Sequence, residues 1–184
     1  MLTSLPNLLT LSRIVAIPVL IGLLYFHDPV MRWIGLGLFA LVAITDYFDG
    51  YLARHWNQVS ALGRFLDPIA DKLLVASLIV MLVAVGDIRG LVVIPAIIIV
   101  CREILVSGLR EYLAEIKVPL PVSRLAKWKT GIQMIALGVL IVGEEAGPAF
   151  LPMDLIGDTG LWIAAIMTLV TGYDYLARGL KHMA

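Results

Sequence analysis

Six long apolar runs, each cut off by a short polar segment, restrict this chain more than any other feature. They cover residues 8–26, 33–53, 68–86, 91–112, 127–143 and 160–178. A helix needs about 20 mostly apolar residues to cross the hydrocarbon of a bilayer. Inside that hydrocarbon a continuous apolar run must pair its own backbone groups, which a helix does and a lone strand does not. Breakers separate the runs: His27-Asp28-Pro29, the polar stretch from Arg54 to Gly63, Gly86 to Gly90, Pro119 to Ser123, and Glu144 to Asp158. The expectation is all-α: a polytopic membrane protein with six transmembrane helices, forming one domain over residues 1–184. Pro18 and Pro95 lie inside runs, where membrane helices tolerate a kink. The first run has no small-residue cleavage site and reads as a retained helix. An apolar share of 60% fits, against about 45–50% for soluble domains.

Charge sets the expected orientation. With the N-terminus in the cytosol, that side holds Arg13, Arg54, Arg64, Lys72, Arg102, Arg110, Lys117, Arg124, Lys127, Lys129, Arg178 and Lys181, while the far side holds only Arg32 and Arg89. Both termini then face the cytosol, in a cell (inner) membrane. Zero net charge argues against a nucleic-acid partner; the lipid bilayer is the expected one. The single Cys101 excludes an internal disulfide and reads as a buried, inert thiol. Ser107-Gly108 offers a bend in the fourth segment, with Leu109 and Leu113 against the membrane interface.

The second and third runs are apolar only in part. Asp46, Asp49, Asp67 and Asp71 fall within 26 residues. On a helix Asp46, Asp49, Gly50 and Ala53 share one face at i, i+3, i+4 and i+7, and Asp67 and Asp71 share a face of the next helix. Four carboxylates brought together repel one another unless a cation lies between them. Hard oxygen ligands favour Mg²⁺, Mn²⁺ or Ca²⁺, and Mg²⁺ commonly links carboxylates to substrate phosphates. Gly50 and Ala53 leave room for a ligand against the helix backbone, and Arg54 adds a cationic fork at the same end. Each Asp alone is more often a cap or a solvated charge. Acids beside very apolar helices are functional by default, because burying them in hydrocarbon is costly.

The spacing D-x2-D-G-x2-A-R-x8-G-x3-D-x3-D, with all eight fixed positions present, resembles the signature of the CDP-alcohol phosphatidyltransferase family. The segments Pro6-Asn7-Leu-Leu-Thr10-Leu-Ser-Arg13, Arg102 to Glu111 and Lys127-Trp-Lys129-Thr130 resemble the branch whose acceptor is glycerol 3-phosphate. The resemblance implies transfer of a phosphatidyl group from CDP-diacylglycerol to that acceptor, with release of CMP. It implies Mg²⁺ or Mn²⁺ held by Asp46, Asp49, Asp67 and Asp71, with Asp71 also the catalytic base. It places the CDP-lipid on Asn7, Thr10, Asp46, Asp49, Gly50, Ala53, Arg54, Ser60 and Gly63, and it implies a homodimer.

The acceptor depends on other residues. Arg102, Arg110, Lys127 and Lys129 cluster in sequence on the cytosolic side. Guanidinium forks match phosphate, which suits a phosphorylated acceptor. The competing reading is the general excess of Arg and Lys on that side. Within the family, inositol phosphate, serine or phosphatidylglycerol remain alternative acceptors. A cation transporter is a reading from another class, but it expects carboxylates near the midplane rather than at one end.

Overall fold

The computed structural model describes the backbone of residues 5–55, 61–118 and 123–180; the side chains of 5–7, 46–55, 61, 62, 64 and 67 lie outside the described residues. Every apolar run becomes a helix: α1 (Leu5–Tyr25), α2 (Pro29–His55), α3 (Ala61–Val85), α4 (Val93–Glu115), α5 (Arg124–Ala146) and α6 (Met153–Leu180), with a 3-10 turn at Gly90–Val92 before α4. No strand occurs among the described residues. Among the described residues five helices are long and apolar enough to cross a membrane; in α2 the apolar stretch Pro29–Thr45 leads up to the Asp46–Asp49 segment, whose side chains lie outside the described residues.

The ends of the helices follow local chemistry. Asp28 caps α2, its Oδ1 accepting from the N–H groups of Val30 and Met31 at 2.9 and 3.1 Å, with Pro29 at the first helical position. Ser123 caps α5, its Oγ accepting from the N–H of Ala126 at 3.1 Å. The polar stretch 144–158 was expected to be a connection; the helix does break at Gly143, a further turn then runs to Ala146, and α6 begins within the stretch, at Met153. Asp154 lies in the first turn of α6, where an acid is favoured by the exposed N–H groups and the helix dipole.

The described residues group into two compact units. The first runs up to Asp87 and adds Ile141–Leu151; the second takes Ile88–Leu140 and continues from Pro152. In the first unit α1 packs against both α2 and α3. At its end Arg32, counted in sequence as a loop-side charge, is 1% exposed. Its guanidinium donates to both oxygens of Asp87, at 2.9 and 3.1 Å, and to the carbonyl of Ile141 at 3.3 Å. Glu145 stands 3.4 Å from its Nε. Gly143 adopts φ +60, which interrupts α5 and frees carbonyls of the preceding turn for such capping.

In the second unit α4 packs against α6. Glycines on α6 let the helices approach: a Cβ on Gly179 would lie 2.8 Å from Leu109, and one on Gly172 would lie 3.2 Å from Cγ of Arg102. Leu109 and Leu113, expected at the membrane interface, are instead core residues with Val106, Ala126 and Tyr175. Helix α4 continues through Ser107-Gly108 without a break, so the heptad-like spacing of Val106, Leu109 and Leu113 stays on the inward face. Cys101 is exposed, not buried. Its neighbour Arg102 takes the inward face, which turns Cys101 to the outward stripe with Ile97, Ile104 and Leu105.

Candidate functional site

The backbone carries out the helical register that the carboxylate motif needs. Helix α2 runs without a break through Asp46, Asp49, Gly50, Ala53 and Arg54, and α3 carries Gly63, Asp67 and Asp71. The spacings i, i+3 and i, i+4 therefore place each pair of acids along one face of its helix. The side chains of Asn7, Asp46, Asp49, Ala53, Arg54 and Asp67, the surroundings of Gly50, and Ser60 altogether lie outside the described residues. Gly63 is buried and Asp71 half-buried, and both are engaged by other groups. On α1, Thr10 and Arg13 are 1% and 2% exposed, and neither lacks a partner. Lys72, beside Asp71, turns back to the carbonyl of Pro68 at 2.9 Å. A donor set made only of carboxylates on helical spacing fits a hard divalent cation such as Mg²⁺ or Mn²⁺.

The second unit brings together two of the four cations expected at an anion site. Lys129 on α5 and Arg102 on α4 converge on the carboxylate of Glu103. The Lys129–Glu103 pair is a direct contact, while Arg102 Nη1 is 3.5 Å from the same Oε1. Side-chain exposure is 4% for Lys129, 11% for Arg102 and 17% for Glu103, so this is a largely desolvated ion cluster inside apolar helices. Helix α6 completes the cradle of Arg102. Nη2 donates to Thr171 Oγ1 at 2.9 Å, and the guanidinium carbon lies 5.7 Å from the Tyr175 ring centre. Thr171 donates its own proton to the carbonyl of Met167 at 2.9 Å, which leaves its lone pair for the arginine. The Tyr175 hydroxyl accepts from the N–H of Ser123 at 3.3 Å, tying α6 to the start of α5.

Arg110 and Lys127 are exposed, and among the described residues neither forms an ion pair. The structure thus separates the four cations: Arg102 and Lys129 are buried together, and the other two stay at the surface. Glu103 stood in the sequence only as part of the Arg102–Glu111 segment, with no role of its own, and Thr171 and Tyr175 on α6 were not singled out there. The signal for Thr171 and Tyr175 was there, in a Thr-x2-Thr-Gly-x2-Tyr stripe from Thr168 to Tyr175 near the end of an apolar run. It reads as ordinary helix packing until Arg102 is known to face it.

Comparison with known proteins comes to the same chemistry. The sequence profile described as CDP-alcohol phosphatidyltransferase matches residues 3–170. A Rickettsia bellii protein named CDP-diacylglycerol–glycerol-3-phosphate 3-phosphatidyltransferase is 52% identical over 179 residues, 97% of each chain. Proteins of the same name from Salmonella choleraesuis and Cereibacter sphaeroides are 39% and 38% identical; the alignments cover 96% and 98% of this chain and 96% and 97% of theirs.

Proposed function

Because this chain belongs to the CDP-alcohol phosphatidyltransferase family, we propose that it transfers the phosphatidyl group of CDP-diacylglycerol to sn-glycerol 3-phosphate, giving phosphatidylglycerophosphate and CMP. One observation carries the reading: the whole eight-residue signature sits on two helices, α2 and α3, of a chain built to lie in a membrane, and relatives aligned over nearly their full length carry that name. The hydroxyl oxygen of the acceptor attacks the phosphorus next to the diacylglycerol. A new P–O bond forms there, the pyrophosphate P–O bond breaks, and CMP leaves with the electron pair.

The roles of the residues follow from their chemistry. Asp46, Asp49, Asp67 and Asp71 would hold Mg²⁺ or Mn²⁺. When bound, the metal supplies positive charge to the pyrophosphate oxygens and stabilises the departing CMP. Asp71 takes the proton of the attacking hydroxyl. Gly50 and Ala53 leave space for the nucleotide, and Arg54 pairs with phosphate oxygens. Asn7, Thr10, Ser60 and Gly63 complete the CDP-lipid contacts. Arg102 and Lys129 bind the acceptor phosphate, with the exposed Arg110 and Lys127 drawing the anion in. Charge bias supports a cell (inner) membrane orientation with both termini and the site in the cytoplasm, and family resemblance supports one catalytic domain acting as a homodimer.

The test uses purified protein, CDP-diacylglycerol and a panel of acceptors, with CMP release as readout. Glycerol 3-phosphate should support turnover. Glycerol, serine, inositol phosphate and phosphatidylglycerol should not. Faster turnover with any of these would move the chain to another branch of the family.

A further inference from the structure

The acceptor site as proposed leaves one charged group without a role. Glu103 is an acid placed between the two cations that are to hold an anion. Its Oε1 accepts from Lys129 Nζ and stands 3.5 Å from Arg102 Nη1. That distance is at the long limit for a hydrogen bond, so Lys129 is its main partner. Arg102 is held from the other side, by Thr171 Oγ1 at 2.9 Å and by the Tyr175 ring. Its Nε, also buried, has no hydrogen-bond partner. The cradle on α6 thus fixes Arg102 without Glu103, whereas Glu103 is what faces Lys129 from α4.

Charge gives this arrangement a function. Arg102, Lys129 and Glu103 together carry one net positive charge. Without the acid, two cations with side-chain exposures of 11% and 4% would repel each other inside apolar helices. A phosphate monoester brings close to two negative charges at neutral pH. It must therefore compete with a carboxylate already seated on the lysine. A ligand with a single negative charge offers Lys129 no more than Glu103 does, and a neutral alcohol offers less. A dianion offers more.

We propose that Glu103 is the resident counter-ion of the acceptor-phosphate site, a positioning residue that makes anion binding an exchange and so selects a dianionic phosphate monoester over neutral or singly charged acceptors. This rests on the assignment of Arg102 and Lys129 as phosphate ligands. Glu103 acts through Lys129 and touches no reacting atom. Its presence orders the empty site and weakens the filled one.

Glu103→Gln keeps the shape and a hydrogen-bond acceptor but removes the competing charge. The full-length enzyme in mixed micelles should then show a KM for glycerol 3-phosphate lowered by about ten-fold, the size expected for one charged hydrogen bond. Inorganic phosphate should become a better competitive inhibitor by a similar factor, with the KM for CDP-diacylglycerol unchanged. Glu103→Asp, which keeps the charge but withdraws it from Lys129 by one methylene, should fall between the two and serves if the first variant does not fold. A purely structural Glu103 would give the opposite sign: a raised or unchanged KM with a lower melting temperature. That result in the variants that fold overturns the proposal. Arg102→Met and Lys129→Met separate the causes. If they raise the KM for glycerol 3-phosphate while the Glu103 variants do not lower it, the phosphate site stands and the exchange role falls. If none of the four variants moves that KM or phosphate inhibition, the phosphate site itself is wrong, and the exchange role with it.

Discussion

Replacing Arg102 by methionine is the sharpest test of where the acceptor phosphate binds. The structure sets what else the change does. Methionine keeps an unbranched stem against Gly172, where a Cβ would come within 3.2 Å of Arg102 Cγ, so the α4–α6 approach survives. The variant loses the hydrogen bond to Thr171, 2.9 Å, and the stacking on Tyr175 at 5.7 Å. Thr171 keeps its donation to the Met167 carbonyl, so no new donor is orphaned. Glu103 keeps Lys129, leaving a neutral pair in place of a cluster with one net charge. Relief of that buried charge offsets part of the lost contacts, and the fold should lose only about 1–2 kcal/mol. The effect on substrate is larger. A charged hydrogen bond to phosphate is worth about 1.5–3 kcal/mol, which is roughly a ten- to 150-fold rise in the KM for glycerol 3-phosphate. The assay is CMP release at saturating CDP-diacylglycerol with glycerol 3-phosphate varied, alongside a melting curve in the same detergent. Turnover at saturation and the KM for CDP-diacylglycerol should stay within about two-fold of wild type. An unchanged KM for glycerol 3-phosphate in a folded variant would refute the reasoning, as would equal rises for both substrates.

Four other outcomes follow from the same structure and its carboxylate motif. Asp46→Asn or Asp67→Asn should abolish CMP release, and a chelator should do the same to wild type until Mg²⁺ or Mn²⁺ is restored; full activity in chelator would exclude a required metal. Asp71→Asn should lower turnover by a factor on the order of 10²–10⁴ while CDP-diacylglycerol affinity falls much less, and near-normal turnover would pass the base role to another group. Gly50→Leu or Ala53→Leu should block CDP-lipid binding in a protein that still melts cooperatively, and unaltered binding in both would place the nucleotide elsewhere. Arg32→Met leaves Asp87, 14% exposed, without the fork that holds it, and should lower stability by about 3–5 kcal/mol; a melting temperature equal to wild type would show that Asp87 is solvated without it.

The sequence by itself determined the helices and the candidate chemistry. Hydrocarbon leaves an apolar run of about 20 residues one way to satisfy its backbone, so six runs meant six helices before any packing was known. The carboxylate motif was legible for a related reason. Its spacing is local, and a helix converts i, i+3 and i, i+4 into a shared face whatever surrounds it. What sequence could not decide was which face of each helix turns inward. Cys101 and Arg102 are adjacent, and hydropathy favours burying the cysteine. The glycines of α6 and the acceptor oxygen of Thr171 reverse that order. Leu109 and Leu113 read equally well as lipid-facing or core residues, because lipid tails and protein interiors are alike in polarity. The same holds for Arg32, an apparent loop charge whose partners, Asp87, Ile141 and Glu145, lie 55 to 113 residues away along the chain. The pairing of Arg102 and Lys129 on Glu103 likewise spans α4 and α5. Such partners are chosen by tertiary packing, since the cost of an unpaired charge in apolar surroundings falls due only once the helices have come together.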